Sequence, residues 1–205
     1  MSPRGAVTII VPFKGRRGAK ARLSPALDLA QREALAFAMA DHVLSVCAEF
    51  AARVVVVTAC SAAEALASRH GAEIVADTCA NGTAAAYHQA LQWLGAAPPR
   101  LLLNGDLPAL TRADLEAMLE VPAQLALAPD TRETGTNAVY LPPGAAFIPQ
   151  FGQDSFARHR QYAADAGASL RIVRRFGLAN DIDTPDDLNR DDTLYALVRD
   201  PERAR

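Results

Sequence analysis

Short apolar runs rich in β-branched residues alternate with helical patterns along this 205-residue chain, and that alternation constrains the fold more than any other feature. Val7-Thr8-Ile9-Ile10-Val11, closed by Pro12, has the composition of a buried strand. Residues 26 to 50 then carry a helical pattern, with Leu27, Leu35, Met39, Val43 and Val46 available for one face. Further strands are expected at 54–57, 73–76 and 101–103. Helices are expected between them: 62–69 with Ser61 as N-cap, one through Tyr87 to Leu94, and one from Thr111 to Leu119 with Asp114 in the capping-box position. Two later strands, 125–127 and 137–141, flank a turn at Thr134-Gly135. A helix over 154–166, a strand over 170–173 and a helix start at Thr184-Pro185-Asp186-Asp187 complete the pattern. Strands alternating with helices predict an α/β architecture with a mostly parallel central sheet covered on both faces. A chain of this length suits a single domain over residues 1–205. In such sheets ligands bind outside the carboxyl ends of the strands.

Composition narrows the function classes. Half the residues are hydrophobic and the formal net charge is -2, so no global field points to nucleic acid or a membrane surface. No apolar run has the length of a membrane span, and the first residues lead into a strand rather than a secretory leader. Three widely spaced cysteines, Cys47, Cys60 and Cys79, fit neither a disulfide framework nor a zinc site; they read as packing residues of a cytoplasmic protein. Charge is unevenly placed, however. Lys14, Arg16, Arg17, Lys20 and Arg22 cluster with no acid among them, whereas residues 181–192 hold six aspartates and one arginine.

Three constellations can carry chemistry. In the first, Pro12-Phe13-Lys14-Gly15-Arg16-Arg17-Gly18-Ala19-Lys20-Ala21-Arg22-Leu23-Ser24, glycines let backbone approach a phosphate chain while Lys and Arg neutralise it. No GxxxxGK[ST] run is present, so this is not a P-loop, and a solvated basic turn would have the same composition. The second, Leu103-Asn104-Gly105-Asp106-Leu107-Pro108, places an aspartate just past an apolar strand, where it can ligate a hard cation or cap a turn. In the third, Asp181-Ile182-Asp183-Thr184-Pro185, residues two apart on extended backbone face one side, so both carboxylates can meet one metal or serve the helix start that follows.

Two more stretches can hold an anionic acceptor. Gly135-Thr136-Asn137 brings small polar groups to a strand start, and Phe151-Gly152-Gln153-Asp154-Ser155-Phe156 opens a helix whose N-terminus suits an anion. A hairpin turn and an ordinary N-cap are the plain alternatives. His42 and His70 read as structural or exposed, and Trp93, Met39 and Met118 as core. There is no GxSxG, and no His–acid spacing proposes a triad.

Together these segments resemble the 2-phospho-L-lactate guanylyltransferase family of deazaflavin coenzyme biosynthesis, which includes the phosphoenolpyruvate and 3-phospho-D-glycerate guanylyltransferases of coenzyme F420 biosynthesis. The carriers are PFKGRRGAKARLS at 12–24, GDLPAL at 105–110, APD at 128–130, GTNAVYL at 135–141, FGQDSFARH at 151–159 and DIDTPDDL at 181–188. The resemblance implies a Rossmann-like three-layer nucleotidyltransferase fold. It also implies transfer of GMP from GTP to a small phosphorylated acid (2-phospho-L-lactate, phosphoenolpyruvate or 3-phospho-D-glycerate) with release of pyrophosphate. By it, Asp106, Asp181 and Asp183 hold Mg2+; Lys14, Lys20 and Arg22, with Asp106, form the catalytic set; Pro12, Phe13, Lys14, Gly15, Lys20 and Gly82 meet the nucleotide; and Thr136, Asn137, Gly152, Ser155 and His159 meet the acid. The expected partners are GTP and a three-carbon phospho-acid, with no nucleic acid or membrane, in a monomer or homodimer. One position departs: Gly82 is followed by Thr83-Ala84 where the family often shows Gly-Leu-Asn. Related readings are another nucleotidyltransferase, a glycosyltransferase using Asp181-x-Asp183, and a non-catalytic GTP-binding regulator. A phosphate monoester, with a second pKa of about 6, is a ready nucleophile at neutral pH, so an enzyme of this kind needs no catalytic His or Cys.

Overall fold

The computed structural model describes residues 7–15, 20–51, 53–79 and 81–188; Arg16 and Arg17 of the basic run lie outside them. Seven strands form one sheet: β1 (Thr8–Pro12), β2 (Arg53–Thr58), β3 (Glu73–Ala76), β4 (Arg100–Leu103), β5 (Leu125–Pro129), β6 (Thr136–Leu141) and β7 (Leu170–Ile172). Their order is β3-β2-β1-β4-β6-β5-β7. The pairs β1/β2, β1/β4, β2/β3 and β5/β7 are parallel, whereas β6 runs antiparallel to both β4 and β5. The mostly parallel α/β sheet is as the alternation predicts. The reversed strand follows from the short Thr134-Gly135 turn, which can return the chain only to an antiparallel neighbour.

Among the described residues seven α-helices accompany the sheet, α1 (Leu29–Phe50), α2 (Ser61–Arg69), α3 (Thr83–Leu94), α4 (Arg112–Met118), α5 (Ser155–Asp165), α6 (Phe176–Ala179) and α7 (Pro185–Leu188), with one 3-10 turn at Ala21–Leu23. Strand side chains alternate between two cores, as a period of two requires. Ile9, Val11, Val54, Val56, Leu101 and Leu103 pack with α1, α2, α4 and α6. Ile10, Val55, Val57, Leu102 and Val139 pack with α3 and α5 on the other face. Two buried faces explain why the central strands read as continuous apolar runs. The long first helix starts later than its apolar pattern suggests. Asp28 caps it, accepting from the Gln31 amide at 2.8 Å while the Gln31 side chain accepts from the Asp28 amide at 3.0 Å.

Two residues expected in the interior lie elsewhere. Trp93 is 53% exposed, its ring covered by the Arg53 guanidinium at 5.2 Å. Cys47 is buried, but Cys79 is exposed, so not every cysteine is a packing residue. Met39 and Met118 are core.

Candidate active site

The chain passes from β1 to β2 and β3 on one side, then crosses to β4 on the other side of β1. The loops after β1 and β4 therefore emerge side by side and in opposite directions of travel, opening a crevice at the carboxyl ends of the strands. Antiparallel β6 starts at this same end: Leu103 pairs with Ala138, and the Asn104 amide bonds the Asn137 carbonyl at 2.9 Å. Thr136 and Asn137 thus stand beside Asp106, although 30 residues separate them in sequence. The resulting cleft is about 750 Å³. Pro12, Phe13, Lys14, Gly15, Lys20 and Arg22 line one lip, Thr136, Gly152 and Ser155 line the opposite lip, and Asp106, Asp181 and Asp183 lie between. Gly15 has φ +65°, and a Cβ there would lie 2.5 Å from the Cys60 sulfur, so only glycine lets this loop close onto α2. Gly82, the N-cap of α3, and His159 do not line the cleft.

A small third core fixes the acidic segment. Ile182 is fully buried among Leu23, Leu27, Leu35, Met39 and Leu188, which contributes about 2 kcal/mol. With Ile182 turned inward, its neighbours Asp181 and Asp183 face the cleft. Asp187 closes the following turn, accepting from the Thr184 amide at 2.8 Å and the Thr184 hydroxyl at 2.7 Å. Oxygens of Asp106, Asp181 and Asp183 come within 4.8 Å of one another. Lys20, held at φ 48° in the left-handed region, reaches in and donates to Asp106 at 2.5 Å and to Asp183 at 2.8 Å. Burial works against its charge, but the two carboxylates outweigh that and hold the ammonium above its ordinary range. Lys14 and Arg22 are exposed on the lip above it.

Three carboxylates around one ammonium leave surplus negative charge. Burial, then the charges of Asp106 and Asp183, push the Asp181 carboxyl up to about 7, against the opposing pull of the Asn137 hydrogen bond and Lys20. Asp106 Oδ1 is buried without a hydrogen-bond partner among the described residues. An orphaned carboxylate oxygen beside two further carboxylates is the donor set of a hard divalent cation, so these residues fit one.

A chain of polar side chains holds the site in place, and two of its members, Tyr87 and Asn104, had no role in the sequence reading. The Tyr87 hydroxyl donates to Asn104 Oδ1 at 3.1 Å, and Asn104 Nδ2 donates to Asn137 Oδ1 at 3.2 Å. Asn137 Nδ2 donates to the Leu178 carbonyl and to Asp181, each at 3.1 Å. Every polar atom of the Asn137 side chain therefore has a partner within the protein, and Asn137 orients a carboxylate while itself bordering the cleft. The only sequence signal for Asn104 was a polar residue directly after an apolar strand. Asp130, on the same rim, fastens the turn before β6 by accepting from the Thr134 amide at 2.8 Å.

On the opposite lip, Ser155 begins α5, and its hydroxyl is buried with no partner among the described residues. Thr136 is buried to 3% exposure yet borders the cleft. His159, one helical turn beyond Ser155, is fully buried. Its Nε2 accepts from the Gln150 amide at 2.9 Å and its Nδ1 lies 3.0 Å from the Thr136 hydroxyl. It therefore stands behind Thr136 and does not itself line the cleft. Burial, reinforced by the Arg158 charge, lowers its pKa to about 4.

A switch-point cleft with cations on one lip, an acidic triad at its centre and an anion-ready helix start on the other is the arrangement of a nucleotidyltransferase. The sequence agrees. Residues 7–191 match the family described as "Guanylyl transferase CofC like", and the chain belongs to that family. It is 36% identical over 198 residues to a phosphoenolpyruvate guanylyltransferase of Conexibacter woesei, covering 92% of this chain and 87% of that one. It is also 36% identical over 187 residues to a 3-phospho-D-glycerate guanylyltransferase of Phenylobacterium zucineum, covering 87% and 86%. The fold matches a nucleotidyl transferase of Methanothermobacter with a TM-score of 0.66 at 17% identity, over 90% of this chain and 95% of that one. It also matches a Mycobacterium tuberculosis protein solved in complex with manganese, with a TM-score of 0.57 at 19% identity, over 91% and 97%. The protein is accordingly a guanylyltransferase. No helix among the described residues is long and apolar enough to cross a membrane.

Proposed function

We propose that this protein transfers GMP from GTP to a three-carbon phosphorylated carboxylic acid, releasing pyrophosphate, in coenzyme F420 biosynthesis, with Mg2+ as its ion. One observation carries this reading: the orphaned Asp106 oxygen and its two partner carboxylates lie between a basic lip and a lip with an unpartnered buried hydroxyl, within one cleft. The names of the relatives support phosphoenolpyruvate or 3-phospho-D-glycerate as acceptor. Both are small and carry a phosphate and a carboxylate.

In this reading Lys14 and Arg22 neutralise the triphosphate from the lip, with Pro12, Phe13 and Gly15 shaping the nucleotide side and Gly82 acting only through the start of α3 that it caps. Asp106, Asp181 and Asp183 would hold Mg2+, which when bound supplies charge stabilisation to the reacting phosphates. Lys20 tethers Asp106 and Asp183 and keeps a positive charge next to the point of transfer. Thr136, Gly152 and Ser155 seat the acid at the N-terminus of α5, where backbone NH groups and the helix dipole favour an anion. The acceptor phosphate supplies the nucleophilic oxygen, the new P–O bond forms at the α-phosphorus, and the bond to pyrophosphate breaks. Its dianionic form needs no base from the protein, so catalysis rests on positioning and charge.

The test is a matrix of 2-phospho-L-lactate, phosphoenolpyruvate and 3-phospho-D-glycerate against GTP, ATP and CTP with Mg2+, read by pyrophosphate release and product mass. Pyrophosphate that appears only with GTP and one of these acids, together with a product of GMP joined to that acid, is expected. GTP binding without turnover on any of them, or turnover without pyrophosphate, would overturn it.

A further inference from the structure

A backbone N–H can only donate. Gln150 N–H points at His159 Nε2 at 2.9 Å, so this nitrogen must be the unprotonated one. The ring is fully buried and bears on the rings of Phe147 and Phe151, with centroids 5.2 Å and 5.0 Å away. That apolar setting keeps it neutral, and a neutral imidazole without a proton on Nε2 carries it on Nδ1. Nδ1–H must then donate to the Thr136 hydroxyl 3.0 Å away. The hydroxyl oxygen accepts this bond, which leaves its own hydrogen to be donated elsewhere. Thr136 borders the cleft, as does Ser155, whose buried hydroxyl has no partner among the described residues.

We infer that His159 is a positioning residue: it fixes the Thr136 hydroxyl as a hydrogen-bond donor aimed into the cleft, so that this subsite takes an anionic oxygen of the acceptor, from either its phosphate or its carboxylate. The inference rests on the acceptor side assigned above. It adds a polarity to that side which the residue types alone do not give, since a free threonine hydroxyl can donate or accept. The arrangement runs from the Gln150 backbone through His159 to Thr136, and each bond dictates the direction of the next.

Two substitutions separate this role from simple packing. The side-chain nitrogen of Asn falls where Nδ1 of His lies, so His159→Asn keeps a donor toward Thr136 but gives up the Gln150 bond. The terminal amide of Gln falls where Nε2 lies, so His159→Gln keeps an acceptor for Gln150 and loses the donor. A positioning role predicts that His159→Gln raises the apparent KM for the acceptor acid about tenfold or more, the cost of one hydrogen bond to a charged group. The KM for GTP should stay unchanged, and His159→Asn should lie closer to wild type. Thr136→Val should match His159→Gln, and combining the two should add nothing further. A purely structural role predicts the reverse ranking, with His159→Asn the worse variant. That ranking, or full additivity with Thr136→Val, would overturn the inference. Imidazole 15N shifts of the wild-type protein give a readout that needs no turnover: a neutral ring protonated on Nδ1 is expected at pH 7, and a proton on Nε2 would refute the arrangement. If that tautomer is found but no phospho-acid supports pyrophosphate release by the wild type, the acceptor reading has failed and not the hydrogen-bond chain.

Discussion

Asn137 donates its side-chain amide to the Asp181 carboxylate at 3.1 Å, so the strand that brings Thr136 to the cleft also orients one of the three carboxylates. Asn137 sits in turn on Asn104, the residue two before Asp106. The acidic triad and the hydroxyl lip are thus tied through one short polar chain across β4 and β6.

Asp106→Asn keeps the size of the side chain and removes the charge. The variant should fold, since Asp106 is a loop residue outside the strands and Lys20 retains Asp183 as a partner. Divalent-ion affinity, read by Mn2+ titration with electron paramagnetic resonance, should fall at least about tenfold, as for loss of one anionic ligand. Turnover should fall with it. Near-normal turnover at saturating Mg2+ would remove Asp106 from the metal site.

Gly177 lies in the short helix that leads into the acidic segment. A Cβ on it would overlap the Asp114 carboxylate and sit 2.5 Å from the Ala109 carbonyl oxygen. Asp114 is buried, bonded to Thr111 and paired with Arg175 at 2.5 Å, so it has little room to move. Gly177→Ala should destabilise the protein by about 1–3 kcal/mol, the usual cost of overpacking, and displace the segment that carries Asp181. Urea denaturation measures the first effect; an unchanged midpoint would show that the α6 turn yields freely.

His159 is neutral in the folded protein, and its pKa falls from 6.5 to about 4. The unfolded chain therefore binds more protons between those values. The stability this group contributes is fully present above pH 6.5 and is lost as pH falls toward 4, by about 3 kcal/mol in all. His159→Gln cannot take up that proton. Its stability deficit relative to wild type, measured by urea unfolding, should narrow between pH 7 and pH 4. A constant deficit would contradict a buried neutral ring.

Much of the fold is legible in the sequence because its signals are local. The β-branched runs at 7–11 and 54–57 must be strands buried on both faces, and the Thr111 and Asp114 pair marks a helix start wherever it occurs. The direction of β6 is not local: nothing in Thr136–Leu141 distinguishes a parallel from an antiparallel strand. The four-residue helix at Phe176–Ala179 is too short to show a period.

The site divides in the same way. Asp181 and Asp183 share a face because Ile182 between them is apolar, and that can be read from three residues. The role of Asn137 depends on contacts with residues 33 and 44 positions away, which no spacing encodes. His159 sits within a motif that points to the acceptor side, yet only the geometry places it behind Thr136.

The central claim, guanylyl transfer to a phospho-acid, is tested most directly by following label from GTP. With the wild-type protein, Mg2+ and whichever of the three acids supports turnover, label in the α-phosphate of GTP should appear in a new acid-linked product, and label in the γ-phosphate should appear wholly in pyrophosphate. Label from the γ-phosphate on the acid, or α-label released without any acid present, would contradict the account.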